Sequence, residues 1–169
     1  MMTALIAVCS WITIPFGDVP FTMQTFAVFV AVGLLGWKRS TLSVIVYILI
    51  GVAGAPVFSG FKGGISSLVG PTGGYIVGFI FLALIGGLII DKFPKKVYVM
   101  CIAMILGLAI CYAFGTAWFM YVYIRNTGAI TLAAVLGKCV VPYIIPDLLK
   151  MVLAVVISKA VKSRVPYLK

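Results

Sequence analysis

Asp147 and Lys150 stand three residues apart in the run Pro146-Asp147-Leu148-Leu149-Lys150, inside the last long apolar stretch of the chain. On a helix that spacing puts a carboxylate and an ammonium on one face. Ionisable groups at membrane depth are costly, and by default they mark a substrate or ion site. The plain alternative is an internal salt bridge that only neutralises itself. A single buried pair is weak evidence for stability, because desolvation can exceed the Coulomb gain, so a polar ligand site is the favoured reading.

Other chemistries are thinly supplied. The chain has no histidine, which removes the commonest general base, the Ser-His-Asp arrangement and most zinc and haem sites. Its three acids are Asp18, Asp91 and Asp147, too few and too dispersed for a two-carboxylate catalytic site. Cys9, Cys101, Cys111 and Cys139 lack metal-ligand spacing and read as packing residues. Neither 33–40 nor 64–74 has the GxxxxGK[ST] spacing of a P-loop. Enzymatic chemistry and ATP binding by that route are not expected, and uphill transport would draw on another subunit.

The elements that must hold the pair are membrane helices. Of 169 residues, 64% are hydrophobic and 9% charged, with a mean hydropathy of +1.27, far outside the range of a soluble domain. A helix needs roughly 20 apolar residues to cross the hydrocarbon core. Six spans are predicted, over about 3–16, 21–36, 41–55, 71–90, 97–119 and 143–160. They form one compact all-α bundle over 1–169, with longer connections only at 56–70 and 120–142. The uninterrupted apolar runs lack the period-2 alternation of a β-barrel. The first span lacks the basic n-region and cleavage site of a signal peptide and is read as a span.

The net charge of +10 could suggest nucleic acid, but its distribution is a topology signal. With six spans, nine basic residues fall on the side of the termini: Lys38, Arg39, Lys92, Lys95, Lys96, Lys159, Lys162, Arg164 and Lys169. Three, Lys62, Arg125 and Lys138, fall opposite. The positive-inside rule makes both termini cytoplasmic and gives nucleic acid no role.

The outer connections carry the remaining signals. Pro15 to Gln24 forms a proline-framed turn that leads Thr22 and Gln24 into the second span, where Gln24 is either interhelical glue or a ligand contact. Gly54 to Gly64 is too apolar for water and too rich in glycine for a helix, as befits backbone lining a cavity. In Gly70-Pro71-Thr72-Gly73-Gly74-Tyr75, Pro71 suits a first helical turn and the glycines allow close backbone approach. Pro146 is expected to open the last helix, with Asp147 in its first turn complementing the helix dipole. Phe58, Phe61 and Tyr75 then supply apolar walls for a pocket with a few convergent polar groups.

Val19-Pro-Phe-Thr-Met-Gln24, Gly54-Ala-Pro-Val-Phe-Ser-Gly-Phe-Lys-Gly-Gly64, Gly70-Pro-Thr-Gly-Gly-Tyr75 and the Asp147/Lys150 pair resemble the BioY family, in order, from about residue 4 to residue 160. The resemblance implies a high-affinity biotin-specific substrate-binding (S) component of an energy-coupling factor (ECF) vitamin transporter in the bacterial cell membrane. It implies docking on a transmembrane T component driven by two ATP-binding cassette subunits, with biotin as cargo and no cofactor. By the same resemblance Asp147 and Lys150 hold the ureido ring, with Gln24, Tyr75, Gly73, Gly74 and Phe58 around it and Lys62 placed for the valerate carboxylate. Family members often carry Pro-Gly-Asp at the pair, where this chain has Ile145-Pro146-Asp147. The T component is usually met by small residues on the first helix, a pattern that Thr3 and Ala7 fit loosely. An S component for another vitamin and a membrane scaffold without a ligand are the alternatives.

Overall fold

The computed structural model describes residues 1–15, 19–93 and 96–164. Asp18, counted among the acids, and Lys95 and Lys169, counted among the basic residues, lie outside the described residues. The described residues form seven α-helices, in order α1 (Met2–Trp11), α2 (Gln24–Val52), α3 (Ile65–Val69), α4 (Gly73–Lys92), α5 (Val97–Asn126), α6 (Leu132–Cys139) and α7 (Val141–Arg164). Among the described residues four segments are long and apolar enough to cross a membrane: Gln24–Val52, Gly73–Lys92, Val97–Asn126 and Leu132–Arg164.

The first predicted span is cut short. Its helix stops at Trp11, and Thr13–Ile14 (β1) pairs antiparallel with Phe21–Thr22 (β2), Thr13 facing Thr22 and Ile14 facing Phe21. The β-branched run Ile12-Thr13-Ile14 favours extended backbone, and Pro15 disfavours helix at the residue before it. The ten residues of α1 rise only about 15 Å.

The second and third predicted spans lie within α2, which doubles back on itself. Gln24 Nε2 donates to the Tyr47 hydroxyl at 2.5 Å, although 23 residues of straight helix would separate them by about 35 Å. The reversal is at Gly36, with φ 72° and ψ −178°. That region of backbone space is essentially reserved for glycine. Each arm then packs as its own helix, and Ala27, Val28, Phe29, Val32, Val44 and Tyr47 form the centre of the core.

The long connection expected at 120–142 is mostly helical. The fifth helix runs on to Asn126, and α6 starts behind Thr131, whose hydroxyl accepts from Ala134 N–H at 3.4 Å. The last helix also begins earlier than expected, at Val141, so that Pro146 lies inside it and Asp147 in its second turn. Pro142 already supplies the first-turn proline there, and Pro146, one turn further in, denies the carbonyl of Pro142 its usual i+4 donor and crowds it.

The two ends of the bundle differ. Thr3 Oγ1 donates to Ser43 O at 3.2 Å, and a Cβ on Gly33 would sit 2.3 Å from Ser158 Oγ. The start of α1 and the end of α7 therefore lie at the same end as the Gly36 reversal. The other end holds the cavity.

Candidate functional site

Three helices and one hairpin converge on the buried pair. Lys150 Nζ donates to Asp147 Oδ1 at 2.8 Å, one turn along α7. From the first arm of α2, Thr25 Oγ1 donates to the same Oδ1 at 2.9 Å and accepts from Lys150 Nζ at 3.2 Å, so one hydroxyl bridges both charges. From α5, the Tyr112 hydroxyl donates to Asp147 Oδ2 at 2.5 Å. From the hairpin, Thr22 O accepts from Lys150 Nζ at 2.7 Å, and the Phe21 ring lies under that ammonium, 3.8 Å from ring centroid to nitrogen.

This arrangement meets the cost of burial group by group. Asp147 is 3% exposed and Lys150 5%. The carboxylate accepts three hydrogen bonds, the ammonium donates three, and the aromatic face adds a cation–π contact. The pair is thus hydrogen-bonded on every side and fixed in direction.

The pair lines a cavity with about 620 Å³ of empty space, part of it at an open mouth. Gln24 and Tyr75, both expected at the site, line it together with Asp147 and Lys150. Gln24 Oε1 accepts from Thr22 Oγ1 at 3.1 Å, and its amide reaches Tyr47, whose hydroxyl donates to Val57 O at 3.0 Å. The Tyr75 hydroxyl shares a hydrogen with Thr116 Oγ1 at 3.2 Å. Ile76 and Phe79 from α4 provide apolar wall, and Tyr143, which donates to Val19 O, closes the hairpin side.

Five other expected residues stand outside the lining, and one of them, Phe61, is exposed and stacked on Trp11 at 5.2 Å between centroids. Gly73 and Gly74 are packing positions: a Cβ would meet Leu68 O at 1.7 Å or Trp118 Cβ at 2.3 Å. They let the top of α4 close against α3 and α5, which aims Tyr75 at the cavity. Phe58 is 1% exposed and packs edge-on to Tyr47 at 5.5 Å between centroids. Lys62 is exposed on the loop beyond it, and its carbonyl accepts from Phe58 N at 2.9 Å.

That loop is fastened to the end of α1. Trp11 Nε1 donates to Pro56 O at 2.8 Å, Ser10 Oγ to Val57 O at 2.5 Å, and Thr13 Oγ1 meets Ser59 Oγ at 3.1 Å. Ser59 is in turn a lining residue. On α1 itself, Thr3 and Ala7 turn inward on α2, and the outward pair at four-residue spacing is Ala4 and Val8. Thr3 and Ala7, expected on a partner-facing stripe, are thus off the outward face; α1 is apolar all round, and composition then carries no helical phase.

Sequence reasoning missed Thr25, Tyr112 and Tyr143. Thr25 adjoins Gln24 and could have been found as a second polar group in that helix. Tyr112 is one of eight tyrosines, and nothing local distinguishes it.

The profile of the BioY family matches residues 1–167. The chain is 42% identical over 164 residues to the biotin transporter BioY of Thermotoga maritima, covering 96% of this chain and 92% of that one. It is 37% identical over 163 residues to a probable biotin transporter BioY of Pyrococcus horikoshii, covering 96% and 93%. Its fold superposes on a crystal structure of the S-component for biotin from an ECF-type ABC transporter with a TM-score of 0.85 at 28% identity, over 96% of this chain and 87% of that one. With the profile matched along almost its whole length and relatives this similar, the chain belongs to the BioY family.

Proposed function

We propose that this chain is the biotin-binding subunit of an ECF-type uptake transporter, with no enzymatic activity of its own. A ureido group offers two N–H donors and one carbonyl acceptor. The carboxylate of Asp147 and the ammonium of Lys150, side by side on α7, are complementary to both. The observation that carries the reading is this pair, anchored by Thr25, Tyr112 and Thr22 and lining one cavity with Gln24 and Tyr75.

Within that reading Gln24 and Tyr75 complete the polar lining. Gly73, Gly74 and Phe58 act through packing, and Lys62 waits on the mouth loop for the acid end of the ligand. The two arms of α2, the short α1, α4, α5 and the α6–α7 segment are six crossings of a single domain spanning 1–169. Both termini are cytoplasmic and the cavity opens outside, as the basic residues at the far end suggest. A transmembrane T component and two ATP-binding cassette subunits supply the energy, and the exposed Ala4/Val8 face of α1 is available to the T component.

Isothermal titration of the detergent-solubilised chain with a vitamin panel tests this. Biotin alone should bind stoichiometrically, and the isolated chain should not hydrolyse ATP. Preference for another vitamin, or binding of none, would overturn the reading.

A further inference from the structure

The end of the bundle remote from the cavity gathers cations and spends its one acid elsewhere. At the α2 reversal, Trp37 N–H donates to Asp91 Oδ2 at 3.0 Å. A Cβ on Gly87 would lie 2.4 Å from Trp37 Cα, so the turn is seated on the last part of α4. The Asp91 carboxylate therefore caps the second arm of α2, as an acid at a helix start does. This contact also draws Lys38 and Arg39, beside Trp37, towards Lys92, beside Asp91, and Lys96 opens α5 just beyond.

These four cations are exposed, and none forms an ion pair among the described residues. Asp91 is the only acid between positions 25 and 146. Two of the side chains lie along aromatic rings: Lys38 Nζ is 5.4 Å from the Trp37 ring centroid, and Lys96 Nζ is 5.8 Å from that of Tyr98. Exposed Phe93, Val97 and Tyr98 continue directly into the outward apolar face of α5 at Ile102 and Leu106. Apolar stems and amphipathic rings beneath, with charges at the rim, match the boundary between acyl chains and phosphates.

We propose that this end is a binding surface for anionic phospholipid headgroups, with Lys38, Arg39, Lys92 and Lys96 meeting the phosphate and Trp37, Phe93 and Tyr98 lying among the upper acyl chains. A soluble anion would have no use for the exposed rings. The surface is independent of what the cavity binds.

Native mass spectrometry of the purified chain, titrated with phosphatidylglycerol or phosphatidylcholine of matched acyl chains, tests the proposal. Wild type should retain phosphatidylglycerol with about tenfold or greater preference, declining as ionic strength rises. The variant Lys38→Gln/Arg39→Gln/Lys92→Gln/Lys96→Gln should show almost none, whereas Lys38→Arg/Lys92→Arg/Lys96→Arg should keep it. The thermal midpoint in detergent checks that each variant is folded. Should the fourfold variant fail that check, Lys38→Gln/Lys92→Gln takes its place, with a partial loss of preference expected. Equal retention of the two lipids by wild type, or a preference unchanged in the folded Gln variants, overturns the proposal. Two further outcomes do the same: inorganic phosphate at equal concentration abolishing the preference, which would mark a free-anion site, and Gln variants that keep the preference but lose association with partner subunits, which would mark a protein-docking face.

Discussion

Replacing Asp147 by asparagine is the most informative single perturbation. The amide keeps nearly the same shape but withdraws the negative charge to which Lys150 donates at 2.8 Å. Breaking a buried pair by removing one partner typically costs about 3–5 kcal/mol, because a lone charge remains. Here Lys150 keeps Thr22 O, Thr25 Oγ1 and the Phe21 face, so the low end of that range, about 3 kcal/mol, is expected. Ligand binding should lose a charge-assisted hydrogen bond of about 1.5–3 kcal/mol, a fall in biotin affinity of at least about tenfold. Lys150→Met should weaken binding to a similar degree, and it leaves the carboxylate with only Thr25 and Tyr112. The double variant, with no lone charge, should unfold at a higher temperature than either single one while binding no better. Titration calorimetry and thermal unfolding in detergent read both quantities. If both single variants bind biotin like wild type, the pair is structural and the site lies elsewhere.

Tyr112→Phe removes one donor to Asp147 and should weaken biotin binding by about 1 kcal/mol, roughly fivefold, with little effect if Asp147 is already asparagine; a full effect in both backgrounds would show that Tyr112 does not act through Asp147. Gly36→Ala forces a side chain into a glycine-only backbone region 2.6 Å from the Asp91 carboxylate, and should cost about 2–3 kcal/mol in thermal or denaturant unfolding. Lys62→Gln withdraws the exposed cation assigned to the acid end of the ligand and should weaken biotin binding by up to about 1 kcal/mol, roughly fivefold, in equilibrium binding; an unchanged affinity would remove Lys62 from the site. With the native cysteines replaced, Gly60→Cys should react with an impermeant thiol reagent on intact cells, and Ser163→Cys only after permeabilisation; the reverse pattern inverts the topology.

The site divides by the range of the forces that build it. That Asp147 and Lys150 are buried on one helix face was legible in the sequence, because the cost of charge in an apolar segment and the i, i+3 geometry are both local. The apolar stretches of α4 and α5 were legible for the same reason, as single helices long enough to cross. What encloses the pair was not legible. Thr25, Tyr112 and Phe21 come from segments 122, 35 and 129 residues away from their partners, and only the packed bundle brings them there. Gly73 and Gly74 were legible as points of close backbone approach, but that Leu68 and Trp118 are what approach them is set by the packed bundle. Two prolines, at 142 and 146, could each open the last helix, and neither carries the long-range contact that decides between them. The phase of α1, apolar on every side, was fixed by Ser43 and the α2 core, not by its own residues. The sequence by itself determined which residues could not face lipid uncompensated, since solvation is a property of each group; the tertiary structure decided what compensates them, since a hydrogen bond needs its partner within 3 Å or so and chain distance says nothing of that.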